Sequence, residues 1–499
     1  MENFLHGTAA LFTDPMGILL FFAGLLGGMV FGTIPGISLL TLGAVILPFT
    51  VFLSSEHAIM LFSVIYCSGV FGGAITAILF NIPGAPENAA TTLDGYPMTL
   101  QGKAGKAVGA AVLCSSLGGI ASVVLMMVAT PVIANWAVRA FSAPEIFALV
   151  AFGLTVAASV GASNFWKGWI SVLLGLGIAT IGTDPAGGVD RFDFGSYYLL
   201  AGIHFIPVVL GLFAVSEVLE QGRRLVTGTR ARIRVSMELP GFLEFWRLKV
   251  AVLRSVVIGF FAGILPGIGA VLAAFLSYNE AFRWSRNRAN FGKGELEGVV
   301  AAETANNSAT GAAMIPLLAL GLPGGALTAM MLGVFQLHGM QPGPMIFITS
   351  TDLVWITFAG MFFANVFIFA LGWLQTKVVV HLLRVDFRYL APAILLMSVI
   401  GSYAVRNLIM DVWVMFIAGV IGYLLRRHGY SAAGIVLGLV LGGIGESNFV
   451  KAMQLMNYNW LGFFERPVSA VLLSAAILTL ALSVYRAVRR AVAPEGAAR

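Results

Sequence analysis

The sequence predicts an all-α polytopic membrane protein of about twelve transmembrane helices, with further re-entrant or broken helices, in two structural repeats of inverted topology. Three observations carry that prediction. Of 499 residues, 59% are hydrophobic and only 10% are charged, where soluble domains carry about 25% charged residues. Uncharged runs reach membrane-spanning length: Ala107 to Ala134 has no charge at all, and about 20 apolar residues cross a hydrocarbon core of ~30 Å. Finally, Gly32-Thr33-Ile34-Pro35-Gly36-Ile37 returns in the second half as Gly263-Ile264-Leu265-Pro266-Gly267-Ile268. A second Pro-Gly follows each copy, Pro83-Gly84 after Asn81-Ile82 and Pro323-Gly324 after Gly321-Leu322.

In chain order, the apolar spans of the first half fall at 16–33, 37–53, 57–80, 107–132, 144–161, 168–182 and 196–219. Those of the second half fall at 250–265, 268–280, 297–320, 322–336, 346–376, 390–404, 408–424, 431–445 and 468–486. Spans 268–280 and 322–336 are too short to cross alone and read as halves of re-entrant or broken helices. The chain divides into a first membrane repeat (1–220), a basic linker (221–249), a second repeat (250–467) and an extra C-terminal helix with its tail (468–499). The linker and the residues just after it hold Arg223, Arg224, Arg230, Arg232, Arg234, Arg247, Lys249 and Arg254, which puts the linker on the cytoplasmic side. An amphipathic interfacial helix around Pro240 to Lys249 is compatible with that placement.

Loop charge gives the relative orientation of the halves. Met1 to Pro15 has no Lys or Arg, whereas its counterpart is the basic linker. Ser54-Ser55-Glu56 has none, whereas Arg283 to Lys293 carries four. After the second Pro-Gly the bias reverses: Lys103 and Lys106 in the first half stand against the neutral Leu337 to Pro344. Basic loops of one half thus correspond to neutral loops of the other, as inversion requires. The net charge of +6 reflects these loops and gives no reason to expect a nucleic-acid partner. The first Lys or Arg is Lys103, so no basic region introduces a cleavable signal peptide.

No Walker A, HExxH or GxSxG pattern occurs, and neither the six histidines nor Cys67 and Cys114 have metal-ligand spacing. Work therefore has to come from an ion gradient or a partner. Each Pro-Gly breaks the backbone where lipid offers no water, so the break needs shelter by protein or a cavity. A lone one is most simply a packing kink; two matched pairs point to a binding site. Helix N-termini after Gly36, Gly84, Gly267 and Gly324 would present N–H groups and positive dipole ends to an anion. The polar residues nearby complete the candidate set. For substrate these are Pro35, Gly36, Asn81, Pro83, Gly84, Pro266, Gly267, Asn306, Asn307, Pro323 and Gly324; for a coupling ion they are Thr91, Thr92, Glu303, Thr304 and Ser308. Intramembrane carboxylates usually mark pathways, but Glu303 has a blander reading as a buried charge partner, and Asn306-Asn307 as interhelical hydrogen bonds. Glu87 and Asp94 are equally readable as solvated or capping groups. No cofactor is expected beyond Na⁺ or H⁺ as coupling ion. An intramembrane enzyme using Glu303 or Asp94 as general base, and a gated ion channel, are the alternative classes.

These stretches resemble the large membrane subunit of the bacterial tripartite tricarboxylate transporters over nearly the whole chain. The likeness rests on the first Pro-Gly-Ile motif, the run Phe71 to Gly84, Leu93-Asp94-Gly95-Tyr96-Pro97-Met98, Leu265 to Ala270, Phe291-Gly292-Lys293-Gly294, Glu303 to Asn307 and Gly343-Pro344. Ser38 and Ser308 depart from it, standing where such proteins often carry glycine and alanine. The resemblance implies a Na⁺- or H⁺-coupled importer of citrate-like or other organic carboxylates in the bacterial inner membrane. It also implies two partners, a small membrane subunit and a periplasmic solute-binding protein.

Overall fold

The computed structural model describes residues 2–34, 38–160, 165–184, 187–224, 238–265, 269–382 and 387–492. Four of the candidate site residues, Pro35, Gly36, Pro266 and Gly267, lie outside the described residues, as do Arg230, Arg232 and Arg234 of the linker.

The first half opens with α1 (Glu2–Thr13), which packs on α18 (Thr351–Leu382). α2 (Pro15–Thr33) starts sharply because Asp14 accepts from the amides of Met16 and Gly17 at 3.2 and 3.0 Å, with proline at its first position. After the first break come α3 (Leu39–Ile46), capped by Ser38, and α4 (Ser55–Phe80). α2 lies along α4. Their glycines set the approach: a Cβ on Gly32 would stand 2.4 Å from the carbonyl oxygen of Gly69. α5 (Thr92–Leu100), α6 (Ala104–Ala140), α7 (Ala143–Val160) and α8 (Phe165–Ala179) follow. A two-residue antiparallel ladder, Gly182–Thr183 with Asp190–Arg191, is the only sheet among the described residues. The half closes with α9 (Tyr197–Leu200), α10 (Phe205–Val209), a wide turn over Leu210–Val215 and α11 (Ser216–Arg224).

Within the described part of the linker, α12 (Phe242–Arg247) forms where the interfacial helix was expected, and Lys106 pairs with its Glu244 at 2.6 Å. α13 (Lys249–Gly263) and α14 (Gly269–Trp284) flank the second break. Then come α15 (Leu296–Leu320), α16 (Ala326–Leu337), α17 (Ile346–Thr349), α18, α19 (Phe387–Arg406), α20 (Ile409–Arg427), α21 (Ala432–Leu455), α22 (Gly462–Glu465) and α23 (Pro467–Val492).

The all-α polytopic architecture is as the sequence predicts. Among the described residues nine helices are long and apolar enough to cross a bilayer, against the twelve or so expected. The shortfall has physical causes. α7 and α8 are short apolar helices on either side of 161–164. α15 has 25 residues but carries its polar run at the middle. α16, at 12 residues, is as short as expected. Matching elements recur around the second Pro-Gly of each half. α4 ends at Asn81 and α15 at Gly321, both left-handed (φ 57° and 70°), and the chain then turns through Pro-Gly. The long helices are exchanged: α6 of the first half lies along α15, and α18 of the second lies along α4. First-half elements therefore cover one side of the polar centre of α15, and α13 and α14 cover another.

Candidate functional site

The site is built where the turn after α4 folds back onto that helix. Asn81 takes the left-handed conformation that ends a helix, and the amide of Ile82 bonds the carbonyl of Thr76 at 3.4 Å. Two residues on, the amide of Gly84 reaches the carbonyl of Gly73 at 3.3 Å. Only glycine fits there, since a Cβ on Gly84 would stand 2.2 Å from the Gly32 oxygen and 2.5 Å from the Gly73 Cα. A short 3-10 turn, Pro86–Asn88, then leads through Thr91 into α5 and carries these residues against α15.

Glu303 is fully buried in the middle of α15 and gathers side chains from three directions. Its Oε1 accepts from Thr91 Oγ1, from Asn88 Nδ2 at 3.5 Å and from Asn306 Nδ2 at 3.3 Å. Its Oε2 accepts from Ser115 Oγ of α6 at 3.1 Å and from Asn307 Nδ2 at 3.4 Å. Asn306 also reaches the carbonyl of Glu87 at 3.4 Å, and Asn307 reaches Ser115 Oγ at 2.9 Å. Among the described residues no Lys or Arg pairs with this carboxylate. A buried carboxylate without a counter-charge costs several kcal/mol, so the cage suits one that takes up a proton or a monovalent cation.

The neighbouring oxygens favour the same chemistry. Asn88 Oδ1, Asn307 Oδ1 and Glu87 Oε2 are buried without a hydrogen-bond partner, as is Asn365 Oδ1 of α18 beside Gly119. Flipping the amides does not rescue them. Asn88 Nδ2 serves the Val70 carbonyl at 3.0 Å, Asn307 Nδ2 the Glu303 carbonyl at 3.0 Å, and Asn365 Nδ2 the Met361 carbonyl at 2.8 Å. Each nitrogen is tied to an acceptor, so each oxygen is free for a cation or water. Three or more His, Cys, Asp or Glu never gather in one place among the described residues, and Cys67 and Cys114 are free thiols.

The expected ion-coupling residues separate on inspection. Thr91 and Glu303 touch. Thr92 donates to the Ala89 carbonyl (2.7 Å), Thr304 to Val300 (2.8 Å) and Ser308 to Val256 of α13 (2.9 Å), so these hydroxyls hold helices. Of the substrate set, Asn306 and Asn307 join Glu303. Gly84 sits on Gly73 nearby, while Asn81 and Pro83 are exposed. Pro323 and Gly324 lie elsewhere: Gly324 abuts Ala313, ten residues along α15 from Glu303, about 15 Å at the helical rise. There α16 begins, its Thr328 Oγ1 accepting from the Gly325 amide at 2.7 Å.

Two site residues escaped the sequence reading, Asn88 and Ser115. Asp94, for which the sequence left a solvated or a capping role open, is buried and caps α15 from the other half of the chain. Its Oδ1 accepts from the amides of Gly294 and Glu295 at 2.8 and 2.9 Å, and its Oδ2 from the Tyr278 hydroxyl at 2.8 Å. A carboxylate at a helix N-terminus is stabilised by the dipole as well as by the bonds. The segment 87–94 is thus fastened to the second half at the start of α15 and again at Glu303.

The family model that matches the chain is described as the tripartite tricarboxylate transporter TctA family and covers residues 18–437. An uncharacterized 52.8 kDa protein from the TAR-I ttuC' 3' region of Agrobacterium vitis is 34% identical over 478 residues, which are 95% of this chain and 94% of that one. An uncharacterized protein from the TAR-II ttuC' 3' region of the same organism is 36% identical over 231 residues, 46% of this chain and 96% of its own. No solved structure matches the chain at a significant level.

Proposed function

We propose a function from one premise: the chain belongs to the tripartite tricarboxylate transporter TctA family, whose model matches most of its length. The chain is the large permease subunit of a secondary, binding-protein-dependent importer of tricarboxylates or related organic carboxylates. It sits in the bacterial inner membrane and works with a small membrane subunit and a periplasmic solute-binding protein. A gradient of Na⁺ or H⁺ drives it, and Glu303 receives the coupling ion.

The observation that supports this best is the cage at Glu303: five side-chain donors from three elements, no Lys or Arg partner among the described residues, and unpartnered amide oxygens alongside. Filling that site neutralises the charge to which Asn88 and Thr91 hold, and so alters how firmly the segment after Pro83-Gly84 is seated on α15. The carboxylate substrate is received at the Pro-Gly turns; Pro323-Gly324 leads into the N-terminus of α16, an end that favours an anion, whereas Pro83-Gly84 leads into a short 3-10 turn and not into the helix N-terminus expected. The two halves are inverted repeats that rock against one another, in keeping with their loop charges. Asp94 is poorly suited to be a general base, because three donors already occupy its oxygens.

The test is uptake by proteoliposomes holding both membrane subunits, with the binding protein outside. Saturable carboxylate uptake that follows an imposed ion gradient is expected. Turnover of a lipid without a gradient, or ohmic conductance, would sink the reading.

A further inference from the structure

On the outer flank of α13 and α14 lies an open cavity of about 460 Å³, lined by Val250, Leu253, Arg254, Val257, Ile258 and Glu280. Its walls are apolar apart from Arg254 and Glu280, and these two are not equivalent. Both oxygens of Glu280 are taken, one by Arg283 Nη1 and one by Trp284 Nε1, each at 3.0 Å. Arg254 has no carboxylate partner among the described residues. Its Nε is buried without a hydrogen bond, and its guanidinium lies over the Trp284 ring, 5.9 Å from the centroid.

Arg254 stands about one and a half turns into α13, and the exposed Trp284 over whose ring it lies ends α14 beside it. Arg247 and Lys249 lie at the junction of α12 and α13, and Arg283 lies in the last turn of α14. An uncompensated guanidinium there asks for an anion, and the apolar wall beside it asks for hydrocarbon. Soluble phosphate meets only the first demand. A helix of a partner protein meets both only by carrying a carboxylate into the membrane, which is costly. Basic pockets between membrane helices on the cytoplasmic side take up anionic head groups.

We propose that this groove binds one anionic phospholipid. Its phosphate sits on Arg254 near Lys249 and Arg283, an acyl chain runs along Val250, Leu253, Val257 and Ile258, and Trp284 flanks it at head-group depth. The site is separate from the Glu303 cage and does not depend on the transport reading.

The experiment is native mass spectrometry of the full chain released from nanodiscs of phosphatidylcholine with a minor share of phosphatidylglycerol. Retention of one phosphatidylglycerol per chain is expected, unaffected by millimolar inorganic phosphate, and about tenfold weaker in Arg254→Gln, as loss of one charge-assisted contact predicts. Val257→Trp, which fills the groove and leaves the arginine in place, decides the matter where Arg254→Gln does not fold. Arg288→Gln, outside the groove, should retain the lipid. Equal retention of phosphatidylcholine, displacement by phosphate, or full retention by both groove variants overturns the proposal. So does a photo-crosslinker at Val257 that captures a polypeptide in place of lipid when the small membrane subunit is co-expressed.

Discussion

Replacing Glu303 by glutamine separates the two things its carboxylate does, which are to organise donors and to carry charge. Glutamine keeps one oxygen for Thr91, Asn88 and Asn306, so the Oε1 side of the cage survives. On the other side an NH₂ group meets Ser115 Oγ, which can turn to accept, and Asn307 Nδ2, which cannot. One mismatched donor costs about 1–3 kcal/mol. Against this stands relief of an unpaired buried charge, worth several kcal/mol. The two nearly cancel or favour the variant, so Glu303→Gln should fold with a melting temperature at or slightly above wild type in ion-free buffer. Alanine behaves differently: it strands the Thr91 and Ser115 hydroxyls, leaves Asn88, Asn306 and Asn307 with their carbonyl acceptors and opens a void, a loss of roughly 5 kcal/mol or more. In proteoliposomes the glutamine variant should lose at least about 90% of gradient-driven uptake, and the remainder should no longer respond to the coupling ion, since a tenfold loss needs only ~1.4 kcal/mol of ion binding to vanish. Wild-type uptake with wild-type ion dependence in Glu303→Gln would refute the assignment of this carboxylate to coupling.

Four further outcomes are expected. Asp94→Asn keeps an oxygen for the two backbone N–H groups and donates its NH₂ to the Tyr278 hydroxyl, which can turn to accept, so it should cost only the charge assistance, about 1–2 kcal/mol, and speed hydrogen exchange at residues 294–297 ahead of the later α15 amides. Asn306→Ala should raise the ion concentration for half-maximal uptake by about tenfold if its link to Glu303 and the Glu87 carbonyl tunes the site; an unchanged midpoint assigns it to packing. Pro83→Ala and Pro323→Ala should each impair uptake with insertion intact, and normal uptake in both would end the idea that these turns serve transport. Reporter fusions at Ser55 and Arg286 should report opposite sides of the membrane, whereas a common side would exclude inversion of the halves.

What the sequence could and could not announce follows from the range of each interaction. Glu303, Asn306 and Asn307 stood out because polar groups are costly within an apolar run, and a single helix brings all three together. The turns after α4 and α15 were legible through Pro-Gly, a purely local signal. Ser115 was not legible. It lies in an apolar helix next to Ser116, and such serines usually bond a carbonyl four residues back; nothing local says that one faces Glu303 while the other bonds the Asn365 carbonyl. Asn88 read as loop polarity for the same reason. Asp94 was ambiguous, since the N–H groups it caps belong to residues 200 and 201 positions away. Local chemistry marked the candidates, but only the exchange of α6 and α18 between halves decided which of them meet.

That exchange also explains how α15 tolerates its polar middle. In a bilayer, helices gain little from hydrophobic attraction to one another, so close contact and hydrogen bonds must hold them. α6 approaches α15 through Gly118, where a Cβ would stand 2.5 Å from the Thr304 carbonyl, and Ser122 bonds the carbonyl of Ser308 a turn further on. α13 approaches from another side through Gly259 and Gly263, each too close to α15 for a Cβ. Small residues thus bring backbones near enough for short side chains to reach across, and the same closeness keeps lipid from Glu303. A bulkier residue at Gly118 therefore does more than create a clash. It lifts α6, withdraws Ser115 from Glu303, and leaves the carboxylate short of a donor at the depth where water is scarcest. Gly118→Val should consequently lose ion dependence along with stability, whereas Gly102→Val, in open space at the α5–α6 turn, should lose stability alone through its left-handed backbone (φ 77°).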